Sequence, residues 1–132
     1  MTTRYSLTVT LSVPVDEADP LVREALAAQG FGILSEIDVQ AALADKLDHH
    51  IGAYRILGAC NPPLARDAIA ADPDVGALLP CNVLLRENAA GGTDVVAADP
   101  HAMLSVAGDA MAPIADDARA RLDAALAALD AR

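Results

Sequence analysis

From Tyr5 to Val13 apolar and polar residues alternate without a break: Tyr5, Leu7, Val9, Leu11 and Val13 on one side, Ser6, Thr8, Thr10 and Ser12 on the other. Period-two patterning places each set on its own face of a β-strand. A chain containing such a strand must build a sheet with one covered and one wet face, and amphipathic helices are what cover it. Pro14 ends the strand.

The segments that follow supply those helices. Asp16 or Asp19 can cap the first, with Pro20 in its opening turn, Leu21, Val22, Ala25, Leu26 and Gln29 at helical spacing, and Gly30 as the stop. Phe31 to Ile37 reads as a second strand. Asp38 caps a second helix with the apolar face Val39, Ala42, Leu43 and Leu47, which runs out at Asp48-His49-His50. Tyr54 to Ala59 reads as a buried third strand ending at Cys60. Asn61 then fits the cap of a third helix, and Pro62 its first position, where a missing N–H costs nothing. Leu64, Ala65, Ala68 and Ile69 face inward, and Asp72-Pro73-Asp74 closes the helix.

Val75 to Leu79 is apolar and Pro80 interrupts it. Val83 to Arg86 and Thr93 to Ala98 form a hairpin around the turn residues Asn88 to Gly92. Asp99-Pro100 starts a short helix reaching Gly108. A final helix runs from about Pro113 to the end, with Ile114, Ala118, Leu122, Ala125, Leu126 and Leu129 on one face. The expected fold is one α+β domain over residues 1–132, ordered β-α-β-α-β-α-β-β-α. Its sheet is mixed or antiparallel, and the helices pack mainly on one face.

Composition narrows the function classes. Nine basic residues against nineteen acidic ones leave a net charge of −10. Such a surface repels phosphate backbones and anionic lipid, so neither nucleic acid nor a membrane is the expected partner. Tyr5, Tyr54 and Phe31 are the only aromatics, which leaves no base-stacking platform and predicts an aliphatic core. No apolar run approaches the ~20 residues that span a bilayer. Met1-Thr2-Thr3-Arg4 leads straight into the strand pattern without a signal-peptide core, so the expected location is cytoplasmic. There, Cys60 and Cys81 should rest as thiols. Gly-rich phosphate loops, Gly-x-Ser-x-Gly and His-Glu-x-x-His are all absent from the sequence.

Two Cys-Asn elements organise the middle of the chain. Tyr54-Arg55-Ile56-Leu57-Gly58-Ala59-Cys60-Asn61-Pro62 leads into Leu64-Ala65; Gly76-Ala77-Leu78-Leu79-Pro80-Cys81-Asn82-Val83 follows, and later Asp99-Pro100. This pattern, with the early strand and the Gly30-Phe31-Gly32 turn, resembles the bacterial and archaeal family known as domain of unknown function 302. The resemblance spans nearly the whole chain. It implies a compact α+β fold and a homodimer, and it implies no activity. One departure is Arg86, which stands where the family pattern has a tyrosine ahead of the acidic Glu87.

The candidate chemistry centres on Cys60, Asn61, Cys81 and Asn82. Cys60 lies just before a helix start, where partial positive charge stabilises a thiolate. Asn61 caps that helix or turns its amide to a ligand; Asn82 bonds locally or does the same. If the strand after Pro80 lies beside Tyr54–Ala59, the two thiols can form a dithiol pair, a metal site or a polar pocket, provided their Cα atoms come within ~7 Å. Arg55 is a candidate for holding an anionic ligand. His49 and His50 suit the negative end of a helix. His101, in the first turn after Pro100, is a candidate neutral pocket residue. Cys60, Cys81 and His101 are the weak candidate set for a soft metal, Cu(I) or Zn(II). No cofactor is specified. Three readings follow in order: a homodimeric binding or sensing module holding a small ligand or metal at these elements; a thiol enzyme or redox or sulfur carrier using Cys60 with Cys81; and a structural domain whose motifs only fix chain turns.

Overall fold

The computed structural model describes residues 3–131; Met1, Thr2 and Arg132, on which the N-terminal reading and the last helical residue partly fall, lie outside it. The strands are β1 (Ser6–Leu11), β2 (Gly32–Asp38), β3 (Tyr54–Cys60), β4 (Cys81–Glu87) and β5 (Thr93–Ala98). The α-helices are α1 (Val15–Ala28), α2 (Val39–Leu47), α3 (Pro62–Ala71), α4 (Pro100–Leu104) and α5 (Ala112–Asp130). The five strands form one sheet in the order β1-β5-β4-β3-β2, and every neighbouring pair is antiparallel. This is the α+β order read from the sequence, with the sheet resolved as antiparallel.

Alternation decides which face is covered. Leu7, Val9 and Leu11 of β1, Leu57 and Ala59 of β3, Val83 and Leu85 of β4, and Val95 and Ala97 of β5 all enter the main core. Val15, Val22 and Leu26 of α1 and Leu122, Ala125 and Leu129 of α5 pack on them. A second, smaller apolar cluster joins Ala68 of α3, Val75, Leu104, Met111 and Ala115.

Local chemistry sets the element ends, with some departures. α1 starts at Val15, directly after Pro14, so Asp16 and Asp19 lie inside the helix rather than at its cap, and both bond Arg55. Gly30, at φ +86°, provides the left-handed stop. Asp38, Asn61 and Asp99 cap α2, α3 and α4 as their positions suggest. The apolar run after Asp72 becomes a 3-10 helix over Pro73–Leu78, since Pro73 and the Asp72 cap favour a tight helical turn. The β4–β5 turn is built by Asn88, whose Oδ1 accepts from Ala90 N and Gly92 N. Tyr5 belongs by pattern to the covered face but precedes β1 and is 64% exposed. The apolar face of α2 also stays open: none of its residues is buried.

Candidate functional site

The two Cys-Asn elements lie at one end of the sheet. β3 and β4 pair antiparallel, with Ala59 opposite Cys81 and Gly58 opposite Asn82. Cys60 lies opposite Gly32 of β2. Gly58 is required here: a Cβ would collide with Ser35 Oγ and come to 2.9 Å from Pro80 Cγ. The missing side chain lets the chain before β4 close over β3, with Leu79–Pro80 as a cis peptide.

Asn61 is buried at the head of α3. Its Oδ1 accepts from Leu64 N at 3.3 Å, and its Nδ2 donates to the Gln29 carbonyl at 3.4 Å. Arg121 of α5 donates to the same carbonyl at 3.1 Å. The first turn of α3 therefore has no donor to spare. Pro62 and Pro63 carry no N–H, Leu64 N is held by Asn61 Oδ1, and Ala65 N by Asn61 O. The helix end beside Cys60 is closed.

Cys60 and Cys81 are both free. They do not make a pair. Cys81 is in register with Ala59 of β3, while Cys60 is one position further along and in register with Gly32 of β2, so the two cysteines do not stand opposite each other. Burial pushes the Cys81 thiol above its ordinary pKa, and the charge of an ionised Cys60 would push it further the same way. A neutral thiol is therefore the favoured state at Cys81.

What the two cysteines share is a cavity of about 310 Å³. Its wall includes Phe31 ahead of β2, Leu34 in β2, and Ala59 and Cys60 of β3. Asn61, Leu64, Ala65, Ala68 and Ile69 close the α3 side. Gly76, Leu79, Pro80 and Cys81 come from the segment entering β4, Leu104 from α4, and Ile114 and Ala118 from α5. Phe31 and Ala59 belong to the main core, while Ala68 and Leu104 belong to the smaller cluster. The cavity is the unfilled seam between the two. Alanines at 59, 65, 68 and 118 are too short to fill it, in a chain with one Phe and no Trp.

The other candidates fall elsewhere. Asn82 is exposed and faces away from the core, since its neighbour Val83 points in. Arg55 is held by carboxylates: Nη1 to Asp19 at 2.8 Å, Nη2 to Asp16 at 3.0 Å and Nε to Glu36 at 3.3 Å. The hydrogen bonds it donates, first of all the one to Asp19 and then the one to Asp16, together with the nearby charges of Asp19 and Glu36, raise its pKa, and no anionic ligand is needed to hold it. His101 is bound through Nε2 to Asp116 of α5 and lines a separate cleft with Met111 and Ala115. The expected metal set of Cys60, Cys81 and His101 is therefore not assembled. Among the described residues no three His, Cys, Asp or Glu side chains converge as metal ligands. The sequence reading missed Phe31, Leu79, Leu104 and Ile114. The first three come from segments read as strand start, interrupted run and short helix, and Ile114 was read only as the face of α5.

The sequence pattern of the domain of unknown function DUF302 matches residues 7–129. No curated protein matches the chain. A crystal structure of an uncharacterized conserved DUF302 protein from Bacillus stearothermophilus is similar, with 28% sequence identity and a TM-score of 0.87 over 95% of this chain and 98% of that one. With the pattern extending across both Cys-Asn elements and the fold shared from end to end, the chain belongs to the DUF302 family.

Proposed function

We propose that this protein is a small-molecule binding module whose site is the cavity walled by Cys60, Asn61 and Cys81. The observation that carries the reading is the cavity itself. At about 310 Å³ it reaches the range of small-ligand pockets. Clefts of similar volume elsewhere on the chain are lined in part by charged side chains, such as Arg119 and Asp123, whereas no charged side chain lines this one, the character of a small-ligand pocket. The two free thiols fit a reducing, cytoplasmic setting.

The module acts as a homodimer in this reading, through the sheet face opposite α1 and α5. Helical packing on β1, β4 and β5 comes from α1 and α5, on the core face. The other face carries Ile56, Leu84 and Val96 in one cross-strand row, with Ile37 at the β2 edge 52% exposed. Its charges are Arg86 and Asp94, paired at 2.8 Å. On a chain of net charge −10, a neutral face is where two copies approach with least repulsion.

The test is uptake of N-phenyl-1-naphthylamine, a dye that brightens on leaving water. Wild type is expected to bind it at one site per chain. Ala65→Phe, which fills the cavity from the α3 side, is expected to lose that binding while keeping its circular dichroism spectrum. Equal dye binding by a folded Ala65→Phe would place the site elsewhere and refute the reading.

A further inference from the structure

Resting on that reading, we propose that the occupant is an uncharged, hydrocarbon-like molecule, and that the cavity excludes ligands with an ionised headgroup, of either sign. The chain has nineteen acidic and nine basic residues, yet none of them lines the cavity. An ion entering it meets no opposite charge, and taking a charge out of water without a partner is costly.

Backbone donors do not substitute for charged side chains. The lining surface is almost wholly apolar, and at the head of α3, beside Cys60, the first-turn N–H groups are absent at Pro62 and Pro63 and satisfied at Leu64 and Ala65. Asn61 uses its carbonyl on Leu64 and its amide on Gln29. The polar groups that remain are the Cys60 and Cys81 thiols, which are weak donors and weak acceptors. They suit at most one neutral oxygen, such as an alcohol or ketone.

The rim has the same character. Leu34 is 71% exposed and Ile69 49% exposed, so apolar side chains stand at the wall where water begins.

The experiment is displacement of bound N-phenyl-1-naphthylamine from the wild-type chain at pH 7.5 by 1-decanol, decanoate and decyltrimethylammonium, each below its aggregation threshold. The three share the chain and differ in headgroup charge. Decanol is expected to displace the dye at concentrations about tenfold or more below those of both ions, the cost of stripping water from an unpaired charge. Displacement by either ion as effective as by decanol overturns this inference and leaves the cavity as the site. Absence of dye binding by the wild type overturns the binding reading itself, and this inference with it.

Discussion

The Asn61 side-chain amide donates to the Gln29 carbonyl, 3.4 Å away, and so ties the head of α3 to the end of α1. The same side chain caps α3 through Leu64 N. Asn61→Ala removes both bonds and leaves a buried gap; a loss of about 1–2 kcal/mol is expected from the cap alone. Asn61→Asp keeps the cap acceptor and loses the donor. Urea midpoints in the order wild type, Asp variant, Ala variant would match this account, and an Ala variant as stable as wild type would contradict it.

Asp19 is buried between Arg23 and Arg55, with Oδ2 at 2.8 Å from Arg55 Nη1. Burial alone would raise its pKa, but the hydrogen bonds from Arg23 and Arg55 prevail and hold it below the usual carboxylate value. A depressed folded pKa means that the unfolded chain binds the proton first as pH falls. Stability from Asp19 is therefore complete above the ordinary carboxylate range and is lost below about pH 4. Asp19→Asn is expected to cost about 1–3 kcal/mol at pH 7 and to flatten the acid limb of a stability–pH curve. An unchanged acid limb would assign that limb to other carboxylates.

The raised Cys81 pKa has the opposite sign. The folded state holds the proton longer, so its contribution is present below the ordinary thiol pKa and falls away as pH rises beyond it. In Cys60→Ser, iodoacetamide labelling of Cys81 is expected to rise only at a pH above that of a free cysteine. A thiolate reacting near pH 6 would reverse the assignment and favour thiol chemistry.

Gly58 lies under Pro80, with Ser35 beside it. Gly58→Ala forces Pro80 outward, at about 1–3 kcal/mol for overpacking. Because Pro80 also walls the cavity, the dye is expected to bind more weakly in this variant than in a surface control of equal stability.

Leu84→Asp places a carboxylate in the apolar row of the sheet face opposite α1 and α5, where Leu84 pairs with Ile56 and Val96. Light scattering after size exclusion is expected to give twice the chain mass for wild type and the single-chain mass for the variant. A wild-type monomer at high micromolar concentration would remove the dimer from the proposal.

Much of the fold was legible in the sequence because its signals are local. Period-two alternation placed β1, Asn61-Pro62 placed the start of α3, and Asn88 with Gly91-Gly92 placed the hairpin. The site was legible only in part. Cys60, Asn61 and Cys81 do line the cavity, but Arg55, Asn82 and His101 are directed elsewhere. A side chain's partner depends on which strands neighbour one another, and that is not a local property. Arg55 meets Asp19 from 36 positions away.

By itself the sequence determined the α+β class, the order of strands and helices, the covered face of β1 and the cap of α3. Those follow from periodicity, caps and residue type, which act within a few positions of the chain. Only the tertiary structure decided that Cys60 and Cys81 share a wall without pairing, and that the shared space is apolar. Cys60 and Cys81 stand one position out of register across β3 and β4, and the seam between the two apolar clusters stays open where Ala59, Ala65, Ala68 and Ala118 line it.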